Sequence, residues 1–228
     1  MRILFLGASL TEGVYGGNFV ARIQHNLPDH ELINLGQSGS TMNRLVGRLD
    51  EVLELEPDAA FVMAGSNDAI AYSQPKTRPY YKQTQDLPDG YLEPDDFGQL
   101  YRDFLLELQL AHIQPLMGLP PLEHNPAVKA ASDLFNSQAM DAARAYNIPV
   151  LDLNPVLLPA HIPDRPDLDL RTVFQIGDRT KSGWADYEAE QQRGGYTYSF
   201  DGIHFTLATA ERVGDVITEF LRETLNLE

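Results

Sequence analysis

Near its N-terminus the chain reads Arg2-Ile3-Leu4-Phe5-Leu6-Gly7-Ala8-Ser9-Leu10-Thr11. The apolar run from Ile3 to Leu6 is typical of a strand that is buried on both faces. Gly7 and Ala8 are small, so the side chain of Ser9 can stand clear of the backbone at the rim of a sheet. A hydroxyl there suits a nucleophile, although segments of this kind also form nucleotide sites or serve packing alone.

Four further apolar runs follow and alternate with helical stretches. Besides Ile3–Leu6, we predict strands over Glu31–Asn34, Ala59–Met63, Gln114–Gly118 and Pro149–Leu153. We predict helices over Phe19–Asn26, Met42–Leu55, Asp95–His112, Ala127–Tyr146 and Leu207–Leu225. This alternation is typical of an α/β fold, here a three-layer α/β/α sandwich around a five-stranded parallel sheet. With the flavodoxin-like strand order 2-1-3-4-5, a crevice opens at the carboxyl ends of strands one and three.

An acid and a histidine lie three positions apart far down the chain, in Ser199-Phe200-Asp201-Gly202-Ile203-His204. A carboxylate held beside an imidazole fixes its tautomer and stabilises the imidazolium that forms when the ring takes a proton from a serine. Ser9, Asp201 and His204 are therefore candidates for a catalytic triad in the chain order Ser, Asp, His. The alternative is a surface turn at Asp201 and a solvated ring at His204, just before a helix.

Two more strand ends carry groups that could donate hydrogen bonds to an oxyanion. Gly39 follows the second predicted strand, where a glycine lets a backbone N–H approach a reacting carbonyl closely. Asn67 follows the third strand and offers a side-chain amide that donates without carrying charge. Each has a simpler alternative, because Gly39 could only permit a tight turn and Asn67 could only cap the next segment.

Taken together, these segments resemble the SGNH hydrolases, also called the GDSL family of lipases and esterases. The resemblance rests on four blocks of this sequence: Gly7-Ala8-Ser9-Leu10, Asn34 to Gly39, Gly65-Ser66-Asn67-Asp68, and Asp201-Gly202-Ile203-His204. One departure is visible, because Ala8 stands where the family usually has an aspartate that supports the nucleophile loop.

The resemblance implies a flavodoxin-like fold and an esterase that works through an acyl-enzyme. Ser9 would be the nucleophile, His204 the general base and then acid, and Asp201 its orienting partner. The backbone N–H of Ser9, together with Gly39 and Asn67, would form the oxyanion hole. Such a mechanism needs no metal and no organic cofactor.

Length and composition agree with one enzyme domain over residues 1–228. At 43% hydrophobic residues, 228 residues suffice for a three-layer core. Two long excursions, near residues 72–97 and 154–198, match no segment of the family that we can assign. The sequence has no cysteine, which excludes a disulfide framework, a thiolate nucleophile and a cysteine-based zinc site.

The charge balance bears on partners and location. With 17 basic and 33 acidic residues the formal net charge is −16. We expect no nucleic-acid partner, because binding to a phosphate backbone relies on excess Lys and Arg. The acidity also disfavours anionic membrane surfaces, and no apolar run is long enough to span a bilayer, so we expect no stable membrane insertion. We expect a cytoplasmic protein, and the sequence leaves its oligomeric state open, a homo-oligomer included.

The sequence indicates the substrate only weakly, through the aromatic residues of the two excursions. These are Tyr80, Tyr81, Tyr91, Trp184, Tyr187, Tyr196 and Tyr198. Aromatic loops at a rim can stack on sugars, but they can equally pack against the core. We expect a short acyl group on a carbohydrate or another polar alcohol. The alternatives are an acylhydrolase of the lysophospholipase or lipase type, and a catalytically silent binding module on the same scaffold.

Overall fold

Short apolar runs form the sheet at the centre of this computed structural model, which describes residues 1–227. The strands are β1 (Arg2–Gly7), β2 (Glu31–Asn34), β3 (Ala59–Met63), β4 (Gln114–Leu119) and β5 (Val150–Asp152). All pairings are parallel, in the order β2-β1-β3-β4-β5. The predicted five-stranded parallel sheet and its strand order are confirmed.

Helices cover both faces of the sheet. Along residues 1–227 they are α1 (Ser9–Glu12), α2 (Phe19–Asn26), α3 (Met42–Val46), α4 (Leu49–Glu54), α5 (Ser66–Ser73), α6 (Arg78–Thr84), α7 (Pro94–Leu110), α8 (Pro126–Ala145), α9 (Asn154–Leu157), α10 (Leu170–Lys181), α11 (Tyr187–Gly194) and α12 (Leu207–Leu225). A short 3₁₀ helix, Pro75–Thr77, lies between α5 and α6.

Successive side chains of β1 point to opposite faces and so divide the core into two layers. Ile3 and Phe5 pack in the cluster that includes residues of α2 and α12. Leu4 and Leu6 pack in the cluster that includes residues of α3, α5, α7 and α8. The predicted three-layer α/β/α sandwich is therefore confirmed, and the connections that leave β1 and β2 cross opposite faces of the sheet. This divergence opens a crevice at the carboxyl end of β1.

The prediction of a single helix over Met42–Leu55 is wrong, because the structure has two short helices there, α3 and α4. The chain leaves the helical path at Arg48, whose φ of −111° lies outside the helical range. Glycine at position 47 weakens a helix interior. The Arg48 guanidinium also donates to the Leu35 carbonyl at 2.9 Å, which ties the break to the end of β2.

The sequence pattern assigned no separate helix to the two excursions. The structure has α6 in the first excursion and α9, α10 and α11 in the second. The single domain expected over residues 1–228 stays a prediction, and Glu228 lies outside the described residues. Within residues 1–227, none of the helices combines the length and the apolar character needed to cross a bilayer.

Candidate active site

Ser9 lies two residues beyond the carboxyl end of β1, as the first residue of α1. Because it begins a helix, its backbone N–H has no acceptor inside that helix. A Cβ at Gly7 would come within 2.6 Å of the Met63 carbonyl oxygen, so only glycine lets the turn pass this close to β3. The hydroxyl of Ser9 is thus held at the sheet edge beside its own amide, which donates to no other group within residues 1–227.

The loop before α12 brings Asp201 and His204 to the same edge. His204 Nε2 lies 2.8 Å from Ser9 Oγ, and His204 Nδ1 lies 2.7 Å from an Asp201 carboxylate oxygen. The ring is 5% exposed, so little water competes for either bond. The network assigns the tautomer: Nδ1–H donates to Asp201, and Nε2 accepts from the Ser9 hydroxyl. The geometry is that of a catalytic triad.

The Asp201 carboxylate is stabilised in its charged form. Burial by itself raises the pKa of Asp201, but the His204 ring and the backbone N–H groups of Ile203 and His204 outweigh it, so the net pKa is lowered. Those two N–H groups donate to the second carboxylate oxygen at 3.0 and 2.8 Å. The carboxylate therefore stays ionised and can orient an imidazolium.

A buried glutamate that the sequence analysis missed holds this loop in place. Glu123 is 2% exposed. Its carboxylate accepts from the backbone N–H groups of Thr197, Tyr198 and Ser199, the shortest of these bonds at 2.9 Å, and from the Ser199 hydroxyl at 2.7 Å. Ser199 Oγ accepts in turn from the N–H of Gly202 at 2.9 Å. Glu123 thus fixes the segment that leads into the Asp201–His204 turn.

Gly39 borders the same cavity as Ser9, with its backbone in the left-handed region at a φ of 79°. A Cβ at this position would collide with the Tyr80 hydroxyl. Glycine is therefore required both by the turn and by the close approach of the ring. Among the described residues, its N–H donates to no other group, which leaves this amide available to a ligand.

The Asn67 side chain has its orientation fixed by two neighbours. Its Nδ2 donates to the Ser40 carbonyl at 3.1 Å, and its Oδ1 accepts from the Tyr81 hydroxyl at 2.9 Å. Burial raises the pKa of Tyr81 well above its ordinary value, so the phenol keeps the proton that it donates. An amide has two N–H donors, and one of them remains for a ligand in the cavity.

Asp68, next to Asn67, supports the neighbouring block of the site. Its carboxylate is 1% exposed and accepts from the N–H of Met42 at 3.2 Å with each of its oxygens. Met42 begins α3, where the preceding Thr41 gives no side-chain cap. Burial raises the pKa of Asp68 to about 7, although the bond from Met42 opposes this shift.

Two polar side chains brace the Ser9 turn against the Gly39 loop. Asn34 donates to the Thr11 carbonyl at 2.7 Å and accepts from Gly36 N–H at 2.9 Å. The Glu12 carboxylate accepts from the N–H of Ser38 at 3.0 Å and from its hydroxyl. These bonds connect the first and second blocks without a carboxylate at Ala8.

Ser9, Gly39, Asn67 and His204 all border one cavity of about 210 Å³, with Asp201 behind the His204 ring. The structure therefore brings together the five predicted site residues. The other walls include residues of α10, from the second excursion, and Tyr15, whose ring meets His204 edge-on with centroids 5.4 Å apart. Sequence patterns gave no signal for Tyr15 or for the α10 wall.

The aromatic residues of the excursions do not form one platform. Tyr80 and Tyr81 border the cavity. Trp184 and Tyr187 pack against Phe200, whose ring stacks on His204 with centroids 5.9 Å apart. Tyr198 is buried in the core. The sequence left two roles open for these residues, stacking on a sugar or packing within the protein. In the second excursion, the contacts of Trp184, Tyr187 and Tyr198 fit packing better.

Sequence comparison identifies the family of this chain. Residues 5–212 match the profile of the GDSL-like Lipase/Acylhydrolase family. The chain therefore belongs to this family and is a carboxylic ester hydrolase, as the four sequence blocks predicted. No curated protein matches the chain significantly.

Solved structures of similar fold include three proteins of low sequence identity. A GDSL-like lipase from Bacteroides thetaiotaomicron is 17% identical, with a TM-score of 0.63 and coverage of 97% of this chain and 88% of that one. An acetyl xylan esterase is 18% identical, with a TM-score of 0.61 and coverage of 97% and 100%. A catalytic mutant of an acetylxylan esterase from Geobacillus stearothermophilus is 19% identical, with a TM-score of 0.62 and coverage of 97% and 93%. At these identities the likeness supports the fold.

Proposed function

We propose that this protein is a serine-dependent esterase that removes a short acyl group from a carbohydrate or another polar alcohol. The observation that carries the proposal is the unbroken chain of hydrogen bonds from Ser9 through His204 to Asp201. These bonds of 2.7–2.8 Å lie within the range expected for a nucleophile, its base and the group that orients the base.

Acylation begins when Ser9 Oγ attacks the ester carbonyl carbon and its proton moves to His204 Nε2. The carbonyl oxygen becomes an oxyanion, which accepts from the amides of Ser9 and Gly39 and from Asn67 Nδ2. The bond to the alcohol oxygen then breaks, and the leaving alkoxide takes the proton from His204. The products of this half-reaction are the free alcohol and an ester on Ser9.

Deacylation repeats the same steps with water. His204 removes a proton from water as the oxygen attacks the acyl carbon and passes this proton to Ser9 Oγ as the acyl bond breaks, which releases the carboxylic acid. Asp201 stays ionised and stabilises the imidazolium in both halves. One correctly placed oxyanion donor contributes about 3 kcal/mol to such a transition state.

The choice of a small acyl group on a polar alcohol draws support from two similar structures, which are described as acetyl xylan esterases. A variant of the Geobacillus enzyme in which a serine is replaced by alanine is described as a catalytic mutant, which supports a serine nucleophile here. The strong acidity of the chain argues against anionic lipid surfaces as the place of action. A cytoplasmic location and the oligomeric state stay predictions.

The test is hydrolysis of p-nitrophenyl acetate by the wild type and by Ser9→Ala. We expect Ser9→Ala to lower kcat/KM by at least about a thousandfold, because the nucleophile is removed. Ser137→Ala is the matched control, since Ser137 is exposed on α8, and it should leave the rate unchanged. Equal rates for the wild type and Ser9→Ala would exclude the serine mechanism and favour a silent binding module.

A further inference from the structure

The cavity at the catalytic site has a wall that is apolar and that comes mainly from the second excursion. Its apolar members are Ile70, Leu168, Val173, Phe174, Ile176 and Ile203. Three of them lie on α10, none of whose residues is buried in the core. The apolar face of α10 is thus directed to the cavity and not to the sheet, and Thr172, Asp178 and Lys181 of the same helix also border the cavity.

A hydrogen bond ties this wall to the oxyanion side of the site. Ile70 lies one helical turn beyond Asn67 on α5, and Gln74 caps the end of that helix. The Gln74 side chain, which is fully buried, accepts from the Leu168 N–H at 2.8 Å. Leu168 leads directly into α10, so the excursion is anchored at the far end of the helix that carries Asn67.

The geometry of the tetrahedral intermediate indicates which part of the substrate faces this wall. Its carbon carries four groups: Ser9 Oγ, the oxyanion, the alcohol oxygen and the acyl substituent. The oxyanion points to Gly39 and Asn67, and the alcohol oxygen must lie near His204 Nε2 to receive its proton. The acyl substituent is left to face the wall that continues from Asn67 through Ile70 to α10.

We propose that α10 forms the floor of an acyl-chain pocket and that Gly177 sets the length of chain this pocket admits. This inference rests on the proposed serine esterase function and deepens it. Gly177 lines the cavity, and a Cβ built on it meets no atom within 4 Å. A larger side chain therefore has room at this position, and because Gly177 lies one helical turn from each of the cavity-lining residues Val173 and Lys181, we expect that side chain to enter the pocket.

The volume limits the acyl groups that fit. The cavity of about 210 Å³ compares with a dry apolar cavity of about 150 Å³ that holds one benzene ring. Since the cavity also accommodates the ester group and opens to solvent, a butanoyl to hexanoyl chain fills the pocket better than an acetyl group does, and the far end of a dodecanoyl chain lies outside it. Each added methylene that is buried raises kcat/KM roughly fourfold until the pocket is full.

The experiment measures kcat/KM of the wild type, Gly177→Ala, Gly177→Leu and Gln175→Leu with p-nitrophenyl esters from acetate to dodecanoate. For the wild type we expect a maximum at butanoate or hexanoate. Gly177→Leu should shorten the preferred chain, with a loss on hexanoate at least tenfold greater than any loss on acetate. Gly177→Ala should fall between the two. Gln175→Leu adds the same side chain at an exposed position of α10 and should keep the wild-type profile.

A second series varies the alcohol while the acyl group stays acetyl, from ethyl to hexyl acetate. Unchanged acyl profiles in both Gly177 variants would overturn the inference, and so would a chain-length penalty that appears only in the alcohol series. Either result leaves the esterase function intact as long as Ser9→Ala abolishes hydrolysis. If wild-type hydrolysis does not depend on Ser9, the proposed function itself fails, and the pocket assignment fails with it.

Discussion

At the scale of single residues, the site depends on side chains that hold the catalytic groups in position. Tyr81 is the clearest example, because its hydroxyl donates to Asn67 Oδ1 and so decides which edge of the amide faces the cavity. A rotated Asn67 would present an oxygen to the oxyanion, which would repel it. Tyr81 is therefore a positioning residue for the oxyanion hole.

Replacing Tyr81 by phenylalanine removes only this donor. We expect kcat to fall about tenfold with little change in KM, because a net hydrogen bond of about 1–1.5 kcal/mol is lost from a group that acts in the transition state. Steady-state kinetics with p-nitrophenyl butanoate measures both constants. Tyr146→Phe, at a partly exposed position at the end of α8, should leave both unchanged. A rise in KM at constant kcat would instead indicate a role in substrate binding.

Asp68 gives a prediction about pH, because its pKa is raised from 3.8 to about 7 by burial. The folded state then binds a proton that the unfolded state has already lost between these two pH values. The favourable contribution of this group is complete below pH 3.8 and is lost as pH rises through about 7. Tyr81 and Tyr101, which lie close enough to interact with Asp68, stay neutral throughout, since burial raises the pKa of each.

Urea unfolding of the wild type and Asp68→Asn between pH 4 and 8.5 measures this effect. The stability of Asp68→Asn relative to the wild type should improve with rising pH, by on the order of a few kcal/mol at most, and then level off. Asp89→Asn, at an exposed position, should show a constant difference. A constant difference for Asp68→Asn as well would show that this carboxyl has an ordinary pKa.

At the scale of elements, the active site is a set of loops that are fixed to strand ends by buried polar side chains. Glu123 acts in this way on the segment before α12, since its carboxylate satisfies three backbone N–H groups and one hydroxyl. Asn34 and Glu12, which are half-buried, act similarly between the Ser9 turn and the Gly39 loop, since they accept from the N–H groups of Gly36 and Ser38. The buried N–H groups of these loops have no partners in the sheet, so a side chain must supply the acceptor.

Glu123→Gln tests this role. A glutamine keeps one oxygen acceptor but turns an NH₂ group toward backbone N–H donors, which leaves buried donors unsatisfied at a cost of about 1–3 kcal/mol each. We expect a lower midpoint in thermal unfolding and, below that temperature, a kcat reduced at least about tenfold because His204 is held less firmly. Glu107→Gln, at an exposed position of α7, should change neither quantity. Full activity in a folded Glu123→Gln protein would contradict the positioning role.

The strands and the main site residues could be predicted because their signals are local. An apolar run that ends in small and polar residues identifies both a strand and the group at its carboxyl end, as it does for Ser9 and Asn67. Glu123 carries no such signal, since an acid after two prolines resembles a surface loop. It is buried only because amides more than 70 positions away converge on it. The apolar periodicity of α10 could reveal a helix, but no local pattern shows that its apolar face covers a catalytic cavity.

At the scale of the whole molecule, one part of the fold provides the stability and another part lines the substrate cavity. The sheet and its flanking helices bury the large aromatic and aliphatic side chains, among them Phe5, Phe61 and Tyr101. The second excursion contributes α10, which has no buried residue, and this helix covers the cavity from outside the core. Changes on the apolar face of α10 can therefore alter the pocket with little effect on folding, which is why Gly177 is a suitable place to test it.

The Ser9–His204 hydrogen bond joins groups 195 positions apart, one after the first strand and one just before the last helix. During synthesis Ser9 leaves the ribosome 195 residues before the imidazole that must activate it. A nascent chain can thus complete most of its sheet while it is still unable to cleave an ester. Recovery of enzymatic turnover after dilution from denaturant consequently reports the formation of this long-range contact.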